Sequence, residues 1–92
     1  MTGTAQPEKL VGALSAGLTI LRYLINAPEP AGVTRIAKDL ALNSSTCFNL
    51  LKTLVHERLV TFDESTKTYS VGLGVVQLAK GTLDAASYVR LL

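Results

Sequence analysis

Two short apolar-periodic runs separated by a brief turn constrain this chain more than any other feature. Residues 33–54 read V-T-R-I-A-K-D-L-A-L-N-S-S-T-C-F-N-L-L-K-T-L. Ile36, Ala37 and Leu40 mark one face of a short helix, and residues 41–43 form a turn. From Ser44 a longer run carries Cys47, Phe48, Leu50, Leu51, Leu54 and Val55 at helical spacing. Two helices joined by so short a turn make a helix-turn-helix. In DNA-binding versions of that motif the second helix lies in the major groove.

The flanking stretches read as support. Residues 1–12 are expected to be a flexible tail, polar up to Pro7. From about residue 14 to 27, Leu14, Leu18, Leu21, Leu24 and Ile25 form a helical stripe that Ile20 widens. Gly12 and Gly17 weaken its start, and Ala27 before Pro28 ends it, because a residue preceding proline avoids helical backbone. Val33 reads as a very short strand, Thr34 as the N-cap of the second helix, and Asn43 or Ser44 as the N-cap of the third. Residues 59–62 and 68–71 are rich in β-branched and aromatic residues and flank a polar five-residue loop at 63–67, the pattern of an antiparallel hairpin. Three helices followed by a hairpin form a winged helix-turn-helix. After Gly72 the pattern returns to helix, with Val75, Leu78 and Ala79, a break near Gly81, and then Leu83, Ala86, Tyr88, Val89 and Leu92. That last segment carries more apolar surface than a solvated helix tolerates, so it must pack on a second copy or lead into a further domain. The expected fold class is mainly α with a small β-hairpin: a winged helix-turn-helix over residues 13–72, then a linker helix over 73–92.

The third helix has two chemically distinct sides. At about 100° per residue, Cys47, Leu50, Leu51, Leu54 and Val55 share one face, with Phe48 at its edge. Ser45, Asn49, Lys52 and His56 fall opposite, flanked by Thr46 and Thr53. Asn pairs bidentately with adenine in the major groove. Ser and Thr reach base edges or phosphates, and Lys takes phosphate. Ser44, Ser45, Thr46, Asn49, Lys52 and Thr53 are therefore the expected DNA contacts. Thr34 and Arg35 at the start of the second helix join them, as does Lys67 near the tip of the wing. Asp63 and Glu64 beside Lys67 oppose phosphate, and an ordinary solvated turn explains Lys67 equally well. Tyr69 and Phe62 read as core or strand-pair residues.

Composition narrows the alternatives. The 92-residue chain is 48% hydrophobic and 17% charged, which fits one small packed domain. Its net charge of +2 is compatible with nucleic acid without requiring it. A single cysteine excludes an internal disulfide and fits a reducing compartment. The small-residue apolar stretch at 10–21 has only Lys9 as a nearby cation, so it is a poor signal peptide. No run approaches the roughly 18 apolar residues of a membrane span, and a cytoplasmic location is expected. Cys47 and His56 point to opposite sides of one helix, which excludes a thiol–imidazole pair or a two-ligand metal site within one chain. Gly72-Leu73-Gly74 lacks the remainder of any nucleotide fingerprint. No catalytic residue, metal or cofactor is expected, and the chain shows no internal repeat.

The sequence I-A-K-D-L-A-L-N-S-S-T-C-F-N-L-L-K-T-L, followed by Y-S-V-G-L-G and a helix, resembles the N-terminal DNA-binding domain of IclR-type transcriptional regulators. The upstream S-A-G-L-T-I-L-R-Y-L is similar to that family's first helix, so the resemblance spans about residues 13–81. It implies a bacterial or archaeal regulator, usually a homodimer, whose winged helix binds palindromic double-stranded operator DNA. It also implies a linker helix leading to a C-terminal domain that binds a small-molecule effector, which this chain does not include. Four positions depart from the family's habit. Ala41 and Arg58 stand where glycines are common, Ser44 often has a basic counterpart, and Asn49 replaces a very common arginine. The rival expectation is a winged helix used for protein–protein interaction or dimerisation without DNA. The sparse charges of the third helix, Lys52 and Arg58 against Glu57, keep that rival open.

Overall fold

The structure, a computed structural model, describes residues 10–83. The elements run α1 (Gly12–Asn26), α2 (Val33–Asp39), α3 (Ser44–His56), β1 (Val60–Asp63), β2 (Thr68–Val71) and α4 (Leu73–Leu83). This is the winged helix-turn-helix order, mostly helical with one two-stranded antiparallel sheet. The first nine residues of the tail expected over 1–12, and the segment after residue 83, lie outside the described residues. No described helix is long and apolar enough to cross a membrane.

Helix α1 begins at Gly12, inside the expected tail, and ends at Asn26, where Pro28 blocks continuation. Its core line is Gly17, Ile20 and Leu24, with Leu21 half-buried. The expected stripe is therefore split. Leu14, Leu18 and Ile25 face outward, because the helix presents its Gly17 side to the body and leaves those three side chains on another flank.

Two expected features of α2 are corrected. Val33 is its first helical residue, not a strand; the extended backbone lies two residues earlier, where Ala31 bridges Tyr69. Gly32, not Thr34, occupies the N-cap position, with its carbonyl accepting from the Ile36 N–H at 3.0 Å. Thr34 sits within the first turn. At the other end, the Ala41 N–H donates to the Lys38 carbonyl and the Leu42 N–H to the Ala37 carbonyl. That is the Schellman arrangement, which requires a left-handed residue, here Ala41 at φ 56°.

Helix α3 is capped by Asn43, whose Oδ1 accepts from the backbone N–H groups of Ser45 and Thr46 at 2.9 and 3.2 Å. It ends in a second Schellman closure. Arg58 N–H donates to the Val55 carbonyl and Leu59 N–H to the Leu54 carbonyl, with Arg58 left-handed at φ 67°. A non-glycine residue in that region costs about 1–2 kcal/mol. Glycine relieves the clash but gives back roughly 0.5–1 kcal/mol in chain entropy. Ala41→Gly and Arg58→Gly are each expected to raise stability by about 0.5–1 kcal/mol, seen as an upward shift of a few degrees in thermal unfolding. A lower melting point in both would contradict the left-handed closures.

Leu59 is used by that closure, so the first strand starts at Val60 rather than 59. The register pairs Val60 with Val71, Thr61 with Ser70, Phe62 with Tyr69 and Asp63 with Thr68. Because Asp63 pairs, the turn shortens to residues 64–67. Asp63 Oδ1 accepts from the N–H groups of Ser65 and Thr66, and Lys67 closes the turn at φ 58°. Helix α4 follows with no break at Gly81. Its position depends on Gly72 and Gly74. A Cβ on Gly74 would lie 2.4 Å from the Arg58 carbonyl oxygen, which instead accepts the Gly74 N–H at 2.8 Å. The G-L-G triplet is thus a close-packing device where α4 crosses the end of α3.

The core gathers side chains from five elements: Ile20 and Leu24 from α1, Ile36 and Ala37 from α2, Cys47, Leu51 and Leu54 from α3, Val60 from β1 and Tyr69 from β2. Ile20, Ile36, Cys47 and Leu51 are the most deeply buried. The apolar side of α3 is thus the centre of the molecule.

Candidate nucleic-acid interface

With Cys47, Leu51 and Leu54 turned inward, the opposite side of α3 must face solvent. Ser44, Ser45, Thr46, Asn49, Lys52, Thr53 and His56 are all exposed. Three of these side chains have local partners. Ser45 Oγ donates to Asn43 Oδ1 at 2.7 Å, which commits its proton to the cap and leaves its oxygen free to accept. Thr53 Oγ1 donates to the Asn49 carbonyl at 3.0 Å. The Lys52 ammonium lies 5.8 Å from the centroid of the Phe48 ring.

Thr34 and Arg35 project from α2, also exposed. Arg35 is not a free cation. Its Nε donates to Asp39 Oδ2 at 3.4 Å, and the same oxygen accepts the Tyr23 hydroxyl at 2.5 Å. The tyrosine bond, and then the Arg35 charge, hold the Asp39 carboxyl below its ordinary range, while Asp39 raises the Tyr23 phenol. Below the ordinary carboxylate range this α1–α2 brace weakens, because a protonated Asp39 no longer attracts Arg35. Arg35 and Asp39 are spaced i,i+4 and could have been paired from sequence; Tyr23, 16 residues from Asp39, could not.

Lys67 stands in the wing turn with its ammonium 3.9 Å from a Glu64 carboxylate oxygen and 6.0 Å from the Phe62 ring centroid. The base of the wing is tied to the start of α2. Ala31 and Tyr69 exchange backbone hydrogen bonds at 3.1 and 2.8 Å, and a Cβ on Gly32 would lie 3.3 Å from the Lys67 carbonyl oxygen. Phe62 and Tyr69 stack against each other, ring centroids 4.8 Å apart, as strand-pair residues. Cys47 is buried, and its thiol is raised by desolvation; its Sγ contacts the Val33 carbonyl at 4.0 Å. Among the described residues no group of three or more His, Cys, Asp and Glu could hold a metal ion.

A short tripartite helix unit, a wing, and an outward polar face on the third helix define the winged-helix class of DNA-binding domains. A family model for the IclR helix-turn-helix domain matches residues 13–64, more than half of the chain. The chain therefore belongs to the IclR family of transcriptional regulators, as a DNA-binding domain of that family. The crystal structure of an IclR transcriptional regulator from Alicyclobacillus acidocaldarius is 28% identical, with a TM-score of 0.71 over 75% of this chain. An IclR family transcriptional regulator from Brucella abortus is 27% identical, with a TM-score of 0.75 over 84%. The Agobacterium tumefaciens repressor BlcR shares the fold, with a TM-score of 0.75 over 85% of this chain at 22% identity. The chain spans 28%, 30% and 31% of those three proteins, respectively. No curated protein matches.

Proposed function

We propose that this chain binds double-stranded operator DNA in a sequence-specific way, with α3 in the major groove and the wing on the flanking backbone or minor groove. The observation that carries this reading is the division of α3: its apolar side fills the core, and its polar side is left outward. Ser45, Thr46, Asn49 and Thr53 would face base edges, and Ser44 and Lys52 the backbone. Thr34, Arg35 and Lys67 would contact phosphates beside the groove. Residues 13–72 form the DNA-binding unit, and α4 after it starts the linker region.

The regulator works as a homodimer in the cytoplasm. The exposed row of Leu14, Leu18 and Ile25 on α1, with Leu73 and Val76 on α4, supplies apolar surface for a second copy. Two copies would place two α3 helices about 34 Å apart. A small effector held by a C-terminal domain would alter that spacing and hence the affinity. The chain has no enzymatic role.

A salt titration of binding to random-sequence duplex tests the first step. Arg35, Lys52 and Lys67 are the cations among the proposed contacts, and Asp39 and Glu64 neutralise two of them in part. The expected slope of log affinity against log salt is therefore shallow, about −1 to −3 per subunit. Lys52→Ala should flatten it by about one unit. Absence of binding at every salt concentration would favour a winged helix that docks on protein.

A further inference from the structure

We propose that Phe48 reads thymine: its ring covers the C5-methyl group of one thymine in each half-site. This rests on the DNA-binding reading above and deepens it. Phe48 is 45% exposed and belongs neither to the core nor to the residues packed around it. The chain's other phenylalanine, Phe62, is accounted for by its stack on Tyr69. Among the described residues Phe48 has no such aromatic partner.

Its position on α3 is specific. At about 100° per residue, Phe48 stands in the same rows as Ser44, Ser45 and Lys52, one row away from the face centred on Asn49. Ser44 and Ser45 are short, so the helix can approach a duplex closely on that side. The Lys52 ammonium, 5.8 Å from the ring centroid, holds the ring beside a group that seeks phosphate. A phenyl ring neither donates nor accepts a hydrogen bond, so it cannot read the polar pattern of a base edge. The one apolar group displayed on base edges in the major groove is the thymine methyl. An aromatic ring carried into that groove therefore gains by covering a methyl, and gains nothing at the other bases.

The test removes that methyl and nothing else. A duplex is first selected from a random pool by the chain itself. Each thymine is then replaced singly by deoxyuridine, which keeps every donor and acceptor. At one thymine per half-site the wild-type chain is expected to lose about fourfold in affinity for each methyl uncovered. Phe48→Ala should show no loss at that thymine and unchanged losses elsewhere, with an unaltered circular dichroism melt. Phe48→Leu, which keeps an apolar surface, should retain most of the loss. Equal deoxyuridine penalties in wild type and Phe48→Ala at every position would overturn the inference while leaving DNA binding intact. So would a uniform drop in affinity that no thymine position explains. Failure to enrich any duplex would sink the DNA-binding reading, and this inference with it.

Discussion

Leu51→Ala should leave the chain largely unfolded. Leu51 is wholly buried on the inner side of α3, in the cluster that Ile20 and Leu24, Ile36, and Val60 close from α1, α2 and β1. Truncation removes three carbons from a site closed by three other elements, which cannot all collapse into the gap. A loss of about 3–5 kcal/mol is expected. Domains of this size have only about 5 kcal/mol to lose. Urea unfolding would register the change as a collapse of the midpoint, or as no folded baseline. Phe48→Ala is the control. It removes a larger side chain from the same helix, yet from an exposed position, and should move stability by about 0.5 kcal/mol or less. If the two substitutions had similar effects, α3 would not be oriented as described, and its polar side would not face outward.

The orientation of α3 was legible because its chemistry alternates at helical spacing without ambiguity: Cys47, Leu51 and Leu54 against Ser45, Asn49 and Lys52. The wing was legible for a related reason, β-branched runs around a polar turn. Helix α1 was harder. It is apolar on more than one side, so Leu14, Leu18 and Ile25 carried the same signal as Ile20 and Leu24. Burial follows the line of Gly17, Ile20 and Leu24, and a glycine adds nothing to a periodicity of large side chains. The start of α2 misled because Thr34 is a good cap by type, whereas the N-cap position falls two residues earlier, at Gly32, with no side-chain cap bond. The break expected at Gly81 failed because one glycine weakens a helix by only about 1 kcal/mol, within what its neighbours tolerate. At the site, the polar residues were named from their face. Phe48 was set at the edge of the core because a residue about 100° from the buried centre can turn either way. The neutralisation of Arg35 depends on Tyr23 and Asp39 meeting across two helices, which no local pattern encodes.

Asn49→Ala is expected to lower affinity for the selected duplex by about 10- to 100-fold, with little change on random duplex. Asn49 lies midway along the outward face of α3; Thr53 Oγ1 bonds its backbone carbonyl, and among the described residues its side chain has no hydrogen-bond partner. A side-chain amide presented there matches adenine, accepting from N6 and donating to N7, a contact worth about 1–3 kcal/mol in discrimination. Alanine removes the readout but no charge, so the salt slope should stay where it was. Asn49→Arg, which restores the residue common in similar regulators, should act differently. Arginine pairs with guanine rather than adenine, and its charge should add about one unit to the salt slope of each subunit. Affinity for random duplex would then rise, while preference at the adenine position would be lost. Competition binding with duplexes changed at single base pairs separates the two effects. Unchanged affinity of Asn49→Ala for the selected duplex would mean that Asn49 reads no base, and the groove would have to be met by another face of the helix.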